Sequence, residues 1–369
     1  MEKHAFDVIV IGAGIAGASA AAHLAADRRV VLIEAEAAAG YHSTGRSAAI
    51  WILNYGPPDA RVLTGLSRPF FETPPPGFAD APLMSRRPVV FLAPEDQEPQ
   101  FRRMLEEGHG LSVITLDEAR RLIPGLKPDY AVAAAIERDA FDMDVAALHQ
   151  GFLRQLRTRG GQLALRSRAE RIERPDGVWN VVVTDGTVFS APVVVNAAGA
   201  WGDEVAAKAS VARLGLMPKR RTGVIVDAGS WQSEHWPMIH DVGQTWYARP
   251  EARTKLMVSP ADETDVPPQD VQPDELDIAI AIDRMQQALD IDVRRVEHSW
   301  AGLRTFAPDR SLVFGWDAVA PGFFWAVGQG GYGIQTSPAA GQLVADLVVG
   351  RDPGEAASIL PQVDPRRFA

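Results

Sequence analysis

Residues 6–34 read FDVIVIGAGIAGASAAAHLAADRRVVLIE, and this stretch decides the fold. Phe6 to Ile11, apolar but for Asp7, is a run ended by glycine, as in a strand buried on both faces of a parallel sheet. Ile15 to Ala26 is alanine-rich and reads as a helix; Arg29 to Ile33 is a second buried strand ending at Glu34. Gly12, Gly14 and Gly17 stand between the first strand and the helix in GxGxxG spacing. The first glycine permits the tight turn, the second lets backbone approach a pyrophosphate, and the third lets helix and strand pack closely. The helix N-terminus offers free N–H groups to phosphate, and Glu34, 17 residues after Gly17, can accept from a ribose hydroxyl. Such a βαβ unit holds a dinucleotide, and FAD and NAD share the fingerprint.

The rest of the chain narrows the class. Its 369 residues suggest two domains or one domain with a large insertion. It is 46% hydrophobic, enough for a sizeable core, and its net charge of −10 argues against a nucleic-acid binder. With no cysteine, disulfides, Cys-ligated metals, thiolate nucleophiles and cysteinyl flavin are all excluded, and no metal is expected. No run approaches the roughly 18 apolar residues of a membrane span. The N-terminus runs straight into a strand without a signal-peptide pattern, so the expected location is cytoplasmic.

Further elements follow from pattern. A helix is expected within residues 57–75, a strand over Ser85 to Leu92, and a short helix capped by Thr115 and Glu118. Val145 to Arg157 reads as a helix, with short strands near 163, 169, 179 and 187. Val193 to Val195 is a buried strand; residues 222–300 read as strands plus one helix at about 273–289. Phe323 to Val327 is a strand followed by a helix reaching about Val349. The two styles alternate. The expected fold is mixed α/β, with a Rossmann-type domain from 1–50, 140–200 and 300–369 and a β-rich substrate domain from 51–139 and 201–299.

Three further motifs choose between the dinucleotides. His42, Ser43, Thr44, Gly45, Arg46, Ser47 and Ala48 form a loop of hydroxyls, glycine and arginine just after the second strand, suited to the far phosphate of FAD. Asn196-Ala197-Ala198-Gly199-Ala200-Trp201 is a second glycine turn after a buried strand. Residues 328–337, GQGGYGIQTS, are a third, ahead of a helix whose amides can face the electron-rich pyrimidine end of a flavin.

Together these motifs resemble the D-amino-acid oxidase family of flavoproteins, which includes glycine and sarcosine oxidases and related dehydrogenases. The closer likeness is to the bacterial FAD-dependent D-arginine dehydrogenases. It rests on Gly40–Ala49, Trp201, Pro218-Lys219-Arg220-Arg221, Trp300-Ala301-Gly302-Leu303-Arg304 and Gln329–Ser337, and spans nearly the whole chain. It implies noncovalent FAD at a domain interface. It also places Ile15, Ala16, Ala35, Ala169, Gly330, Tyr332, Gly333 and Ile334 around the cofactor.

For the substrate, the resemblance gives Arg221 and Arg304 the carboxylate, a role that suits the two-pronged guanidinium. Arg220 and Arg221 would point opposite ways on a strand, so Arg221 is expected inward and Arg220 structural or exposed. Tyr55 and Tyr247 match tyrosines that close the site, and Gly331 and Gln335 match positions beside flavin and substrate amine. His42 reads as a loop or cofactor contact and not as a base. Val89 stands where the arginine-specific pattern has glutamate, Ile50 where it has histidine, and Ile52 where it has threonine. The side-chain pocket therefore reads as apolar, with Met238 beside it. His240 lines that pocket or is exposed, and Asp59 is an acidic residue that could restore a preference for cations.

The expected reaction is oxidation of a D-amino acid with a neutral or apolar side chain, through an imino acid, to a 2-keto acid. The electron acceptor is a quinone, another carrier or O2. The same motifs suit an oxidase of N-methyl or cyclic amino acids or of a 2-hydroxy acid, and a non-catalytic FAD-binding subunit of an electron-transfer complex.

Overall fold

The structure is a computed structural model and describes residues 3–369. Among these residues the chain forms four sheets. The first is six-stranded, in the order Gln162–Ala164, Val30–Ile33, Val8–Ile11, Val193–Asn196, Phe323–Val327 and Val313–Trp316. All its neighbours run parallel except the last pair. The glycine loop leaves the central strand Val8–Ile11, and the turns after Asn196 and Val327 leave the next two strands at the same carboxyl ends. The three glycine motifs therefore converge because their strands are parallel neighbours.

The helix Ile15–Leu24 is buried on nearly every side, which is why it is built of alanine and glycine. It packs between Val145–Thr158 and Gly333–Val349. Asp144 caps Val145–Thr158 by accepting from the Ala147 amide at 2.8 Å.

The second large sheet has nine strands and draws on residues 89–137 and 217–306. Its period-2 alternation decides the architecture. Val90, Leu92, Ile136, Val224, Val226, Ala248, Leu256 and Val258 face one way, into a core closed by the helix Glu275–Ala288. Val89, Met238, Tyr247 and Met257 face the other way, toward Ile50 and Ile52. Met217–Asp227 and Val296–Phe306 pair along nearly their whole length, with Arg221 opposite Gly302 and Lys219 opposite Arg304. The latter strand crosses residue 300, so Trp300 to Phe306 are part of this sheet.

Several elements form where the pattern put them. Thr115 Oγ1 accepts from the Glu118 amide at 3.1 Å at the head of Leu116–Leu122. The segment Ser85 to Leu92 is not one strand. Met84–Arg86 and Val89–Ala93 belong to different sheets, because Pro88 interrupts the run and the chain changes partner from Phe141–Met143 to Ala133–Glu137. Residues 51–139 are also less β-rich than expected, carrying the helices Pro58–Glu72, Glu98–Glu107 and Leu116–Leu122.

His23, in the buried helix, has an Nε2 atom shielded from solvent without a hydrogen-bond partner. Burial, with the charge of Arg159 nearby, lowers its pKa from 6.5 to about 4. A depressed histidine pKa means that the unfolded chain binds the proton first. Stability is therefore lost as pH falls from about 6.5 toward about 4. The loss should be on the order of a few kcal/mol. Melting curves of wild type and His23→Gln across that window should converge at neutral pH and separate in acid, the variant losing less. Parallel curves would rule out the effect.

Candidate active site

A cleft runs along the carboxyl ends of the parallel strands and continues under the nine-stranded sheet. At one end lie Glu34, Ala35, Glu36 and Ser167–Ala169; at the other lie Gly330, Gly331, Arg304, Arg221 and Tyr247.

The first end is built by close backbone approach. Gly12 has φ +101°, and a Cβ there would stand 2.6 Å from the Ala197 carbonyl oxygen. A Cβ on Gly17 would stand 1.8 Å from the Gly12 oxygen, so the helix rests directly on the turn. Glu34 ties the loop to the neighbouring strand: one carboxylate oxygen accepts from the Ala13 amide at 2.8 Å and the other from the Glu36 amide at 2.9 Å. Thr44 Oγ1 accepts from the Ile15 amide at 2.9 Å, which fixes the 40–49 loop over the helix N-terminus. His42 lies against Trp201, its Nε2 3.2 Å from Glu36, while its buried Nδ1 has no protein partner.

These features fit a dinucleotide. The glycine cradle leaves room that side chains would fill, and carboxylate lone pairs stand at the strand end for a ribose. Gly12, Gly14, Ile15, Ala16, Glu34, Ala35, His42, Ser43, Thr44, Arg46, Ser47, Ala48, Ala169, Ala198, Gly199, Trp201, Gly330, Gly331, Gly333 and Ile334 all line the cleft.

Four expected cofactor contacts have other work. Gly45 lies behind the lining, where its amide donates to the Gly40 oxygen at 2.8 Å. Tyr332 is buried against Tyr55 and Phe306. Arg46 lines the cleft, but its guanidinium is engaged by protein partners. It donates to the carbonyls of Val271 and Ala301, both at 3.1 Å, and pairs with Asp270. Ser43 likewise donates to the Leu303 carbonyl at 2.7 Å. The loop thus fastens to the strand that carries Arg304.

At the other end Arg304 Nη1 donates to the Tyr55 hydroxyl at 2.7 Å, and Tyr247 Oη lies 3.5 Å from Nη2. None of its nitrogens contacts a carboxylate within the described residues. Gly331 is the near wall: a Cβ there would stand 2.7 Å from Tyr55 Oη and 3.0 Å from Arg304 Nη1. Arg221 faces the cleft as the alternation requires, while Arg220 points the other way to Asp277 on the helix Glu275–Ala288 and to Asp274 at its N-cap. Burial alone would raise the Tyr247 phenol, but the charges of Arg304 and Arg221 bring it below its ordinary value.

Ile50, Ile52, Val89, Met238, Tyr247 and Met257 form one apolar cluster beside these groups. His240 stacks flat on Tyr247, with centroids 5.8 Å apart, and its Nδ1 bonds the Asp241 carbonyl at 2.7 Å. Burial holds it neutral by lowering its pKa.

Gln335 departs from expectation. Its Oε1 accepts from the Ile52 amide at 3.2 Å and its Nε2 donates to Thr64 at 2.8 Å, so both ends of the amide are used in holding the pocket wall. Asp59 is likewise spent, accepting from the Leu312 amide at 3.0 Å and from Ser311. Sequence reasoning passed over Glu137. It stands opposite Val89, is buried, and accepts from the Leu53 amide at 3.0 Å and Asn54 at 2.9 Å. Burial raises its pKa. A glutamate inside the run Ala133–Glu137 was the available signal.

A family model described as FAD dependent oxidoreductase (DAO) matches residues 7–347. The chain is 27% identical over 179 residues to "FAD-dependent oxidoreductase domain-containing protein 1" of Xenopus laevis. That alignment covers 42% of this chain and 34% of the relative, so it spans about a third of the relative's length. The crystal structure of glycine oxidase from Geobacillus kaustophilus is similar, with a TM-score of 0.82, 22% identity and coverage of 95% of this chain and 96% of that one. L-proline dehydrogenase from P. horikoshii has a TM-score of 0.85, 20% identity and coverage of 100% and 98%. At these identities the likeness is one of fold.

Gly12→Ala tests the cradle. A side chain at φ +101° would be strained and would also meet the Ala197 oxygen. Strain of this kind costs on the order of 1–3 kcal/mol before any clash is counted. The variant should melt several degrees lower and lose its bound dinucleotide on purification, measured by absorbance; wild-type occupancy would refute the cradle.

Proposed function

The chain belongs to the DAO family of FAD-dependent oxidoreductases, and on that premise we propose that it oxidises the α-carbon of D-amino acids with neutral, mostly apolar side chains. The observation that carries the reading is the Arg304 guanidinium, bonded to two tyrosine hydroxyls and, among the described residues, to no carboxylate, beside the apolar cluster of Ile50, Ile52, Val89 and Met238. The preference for the D form follows from the motif likeness to D-arginine dehydrogenases.

FAD would lie along the cleft, held by Gly12–Ala16, Glu34, Thr44 and Gly330–Ile334, and supplies the hydride acceptor of the reaction. The protein's own groups set the geometry. Arg304 and Arg221 hold the substrate carboxylate, and the tyrosine hydroxyls of Tyr55 and Tyr247 fix the Arg304 plane. With the carboxylate anchored and the side chain in the apolar cluster, the Cα–H bond has one direction left to take, and this positioning replaces much of the entropic cost of the reaction. The neutral amine is the reacting form. Loss of hydride from the α-carbon and of a proton from nitrogen leaves an imino acid, which water hydrolyses to a 2-keto acid and ammonia.

The side chain of the substrate meets the apolar cluster. A guanidinium or ammonium there would lose its hydration without an acidic partner, at a cost of order several kcal/mol. The nearby carboxylates are already used: Glu137 by two N–H donors, Asp142 by Arg87 and Arg249, and Asp59 by the 311–312 segment. An apolar side chain instead gains roughly 25 cal/mol per Å² removed from water.

Two measurements test the reading. Arg304→Ala removes one partner of a desolvated ion pair, a loss of about 2–5 kcal/mol. It should lower kcat/KM by tens-fold or more while the protein stays yellow; near-normal kinetics would remove Arg304 from the site. Anaerobic flavin bleaching with a panel of D- and L-amino acids should rank D-leucine, D-methionine and D-phenylalanine above D-arginine and D-lysine. A wild-type enzyme that prefers D-arginine would overturn the apolar-pocket argument.

A further inference from the structure

Arg221, one of the two arginines at the inner end of the cleft, already has a carboxylate. Its Nη2 is 3.3 Å from Glu263 Oε1, and its Nε donates to the Asp262 carbonyl at 2.8 Å. Glu263 is held more tightly from its outer side. Arg310 reaches it with two parallel bonds, Nη1 to Oε2 and Nη2 to Oε1, both at 2.9 Å. The three side chains form a row from solvent to site, exposed by 44%, 33% and 12% for Arg310, Glu263 and Arg221.

The row is built into the backbone on both sides. Arg310 has φ +66° and Ala261, two residues before Glu263, has φ +53°. Side chains other than glycine's rarely take that conformation, and it persists only where surrounding contacts require it. The Arg310 guanidinium also lies over the Phe306 ring, 4.0 Å from its centroid, which fixes the fork that grips Glu263. Arg310 belongs to the turn after Val296–Phe306, whereas Glu263 lies just before Thr264–Asp265 on the opposing sheet edge.

We infer that Glu263 competes with the substrate carboxylate for Arg221 and that Arg310, by gripping Glu263 in its two-pronged fork, holds that competitor back. The inference rests on the reading that Arg221 and Arg304 receive a carboxylate. When substrate binds, Arg221 exchanges Glu263 for the substrate anion and Glu263 remains neutralised by Arg310. Glu263 then sets how strongly a carboxylate binds without touching the reacting carbon, and it disfavours a second anionic group near Arg221. No bond is made or broken, and the exchange is one of ion partners only.

The two side chains should act with opposite sign, which no merely structural role would produce. The probe is 4-methylpentanoate, a leucine analogue without the amine, which binds but cannot be oxidised. Its Kd is read from the perturbation of bound-flavin absorption. Glu263→Gln should lower that Kd roughly tenfold, about the worth of one charge-assisted hydrogen bond. Arg310→Gln should raise it by a similar factor, because Glu263 then leans wholly on Arg221. Arg310→Lys, with the charge but not the fork, should fall between wild type and Arg310→Gln. The double variant should match Glu263→Gln, since Arg310 acts only through Glu263. Shifts of both single variants in the same direction, or no shift in either, would overturn the inference while leaving the carboxylate reading intact. Absence of any spectral response to the carboxylate, in wild type and variants alike, would overturn both.

Discussion

The contact on which the rest depends is the seat of one buried helix on one glycine turn. With Gly17 in place, the helix Ile15–Leu24 approaches so closely that a Cβ there would stand 1.8 Å from the Gly12 oxygen. This closeness aims the helix N-terminus at the mouth of the parallel sheet, where aligned peptide dipoles favour phosphate. It also brings the Ile15 amide to Thr44 and the Ala13 amide to Glu34. A bulkier residue at either glycine would push the helix outward and break both bonds together.

From that seat the chain carries order outward through the 40–49 loop. Thr44 anchors the loop to the helix, while Ser43 and Arg46 anchor it to the carbonyls of Leu303 and Ala301. The indole of Trp300 donates back to the Arg46 carbonyl at 3.0 Å. Arg304 lies on the same strand, one residue beyond Leu303. The position of the Arg304 guanidinium is therefore set by the 40–49 loop. The glycine-loop end of the cleft and the Arg304 end are joined by a few short hydrogen bonds.

Charge is arranged against the grain of the whole molecule. The protein carries a net charge of −10, yet the inner end of the cleft holds Arg221 and Arg304. Glu263 pairs with Arg221, but Arg304 meets only tyrosine hydroxyls, and the fields of distant surface carboxylates are screened within about 8–10 Å at ordinary ionic strength. The low polarity of the apolar cluster makes it a costly place for a charge, which would find little there to replace its hydration.

Some of this was decided by the sequence itself. The glycine spacing, the strand runs Val30–Ile33, Val193–Asn196 and Phe323–Val327, and the opposed facing of Arg220 and Arg221 all follow from short-range rules, steric room at a turn and a side-chain period of two. The polar partners that local pattern does not show lie far along the chain. Arg46 reads from the sequence as part of a phosphate loop, and its partner Asp270 lies 224 residues away. Gln335 reads as a neighbour of flavin and substrate amine, and it accepts from Ile52, 283 residues distant. Glu137 sits opposite Val89 only because two strands pair in that register, and Glu263 meets Arg310 only where two turns face each other. Local pattern records which backbone conformation a segment prefers and which face it buries. The partner of a buried polar side chain is settled only when distant segments pack, because each donor and acceptor removed from water must be satisfied by whatever group the tertiary structure brings within reach.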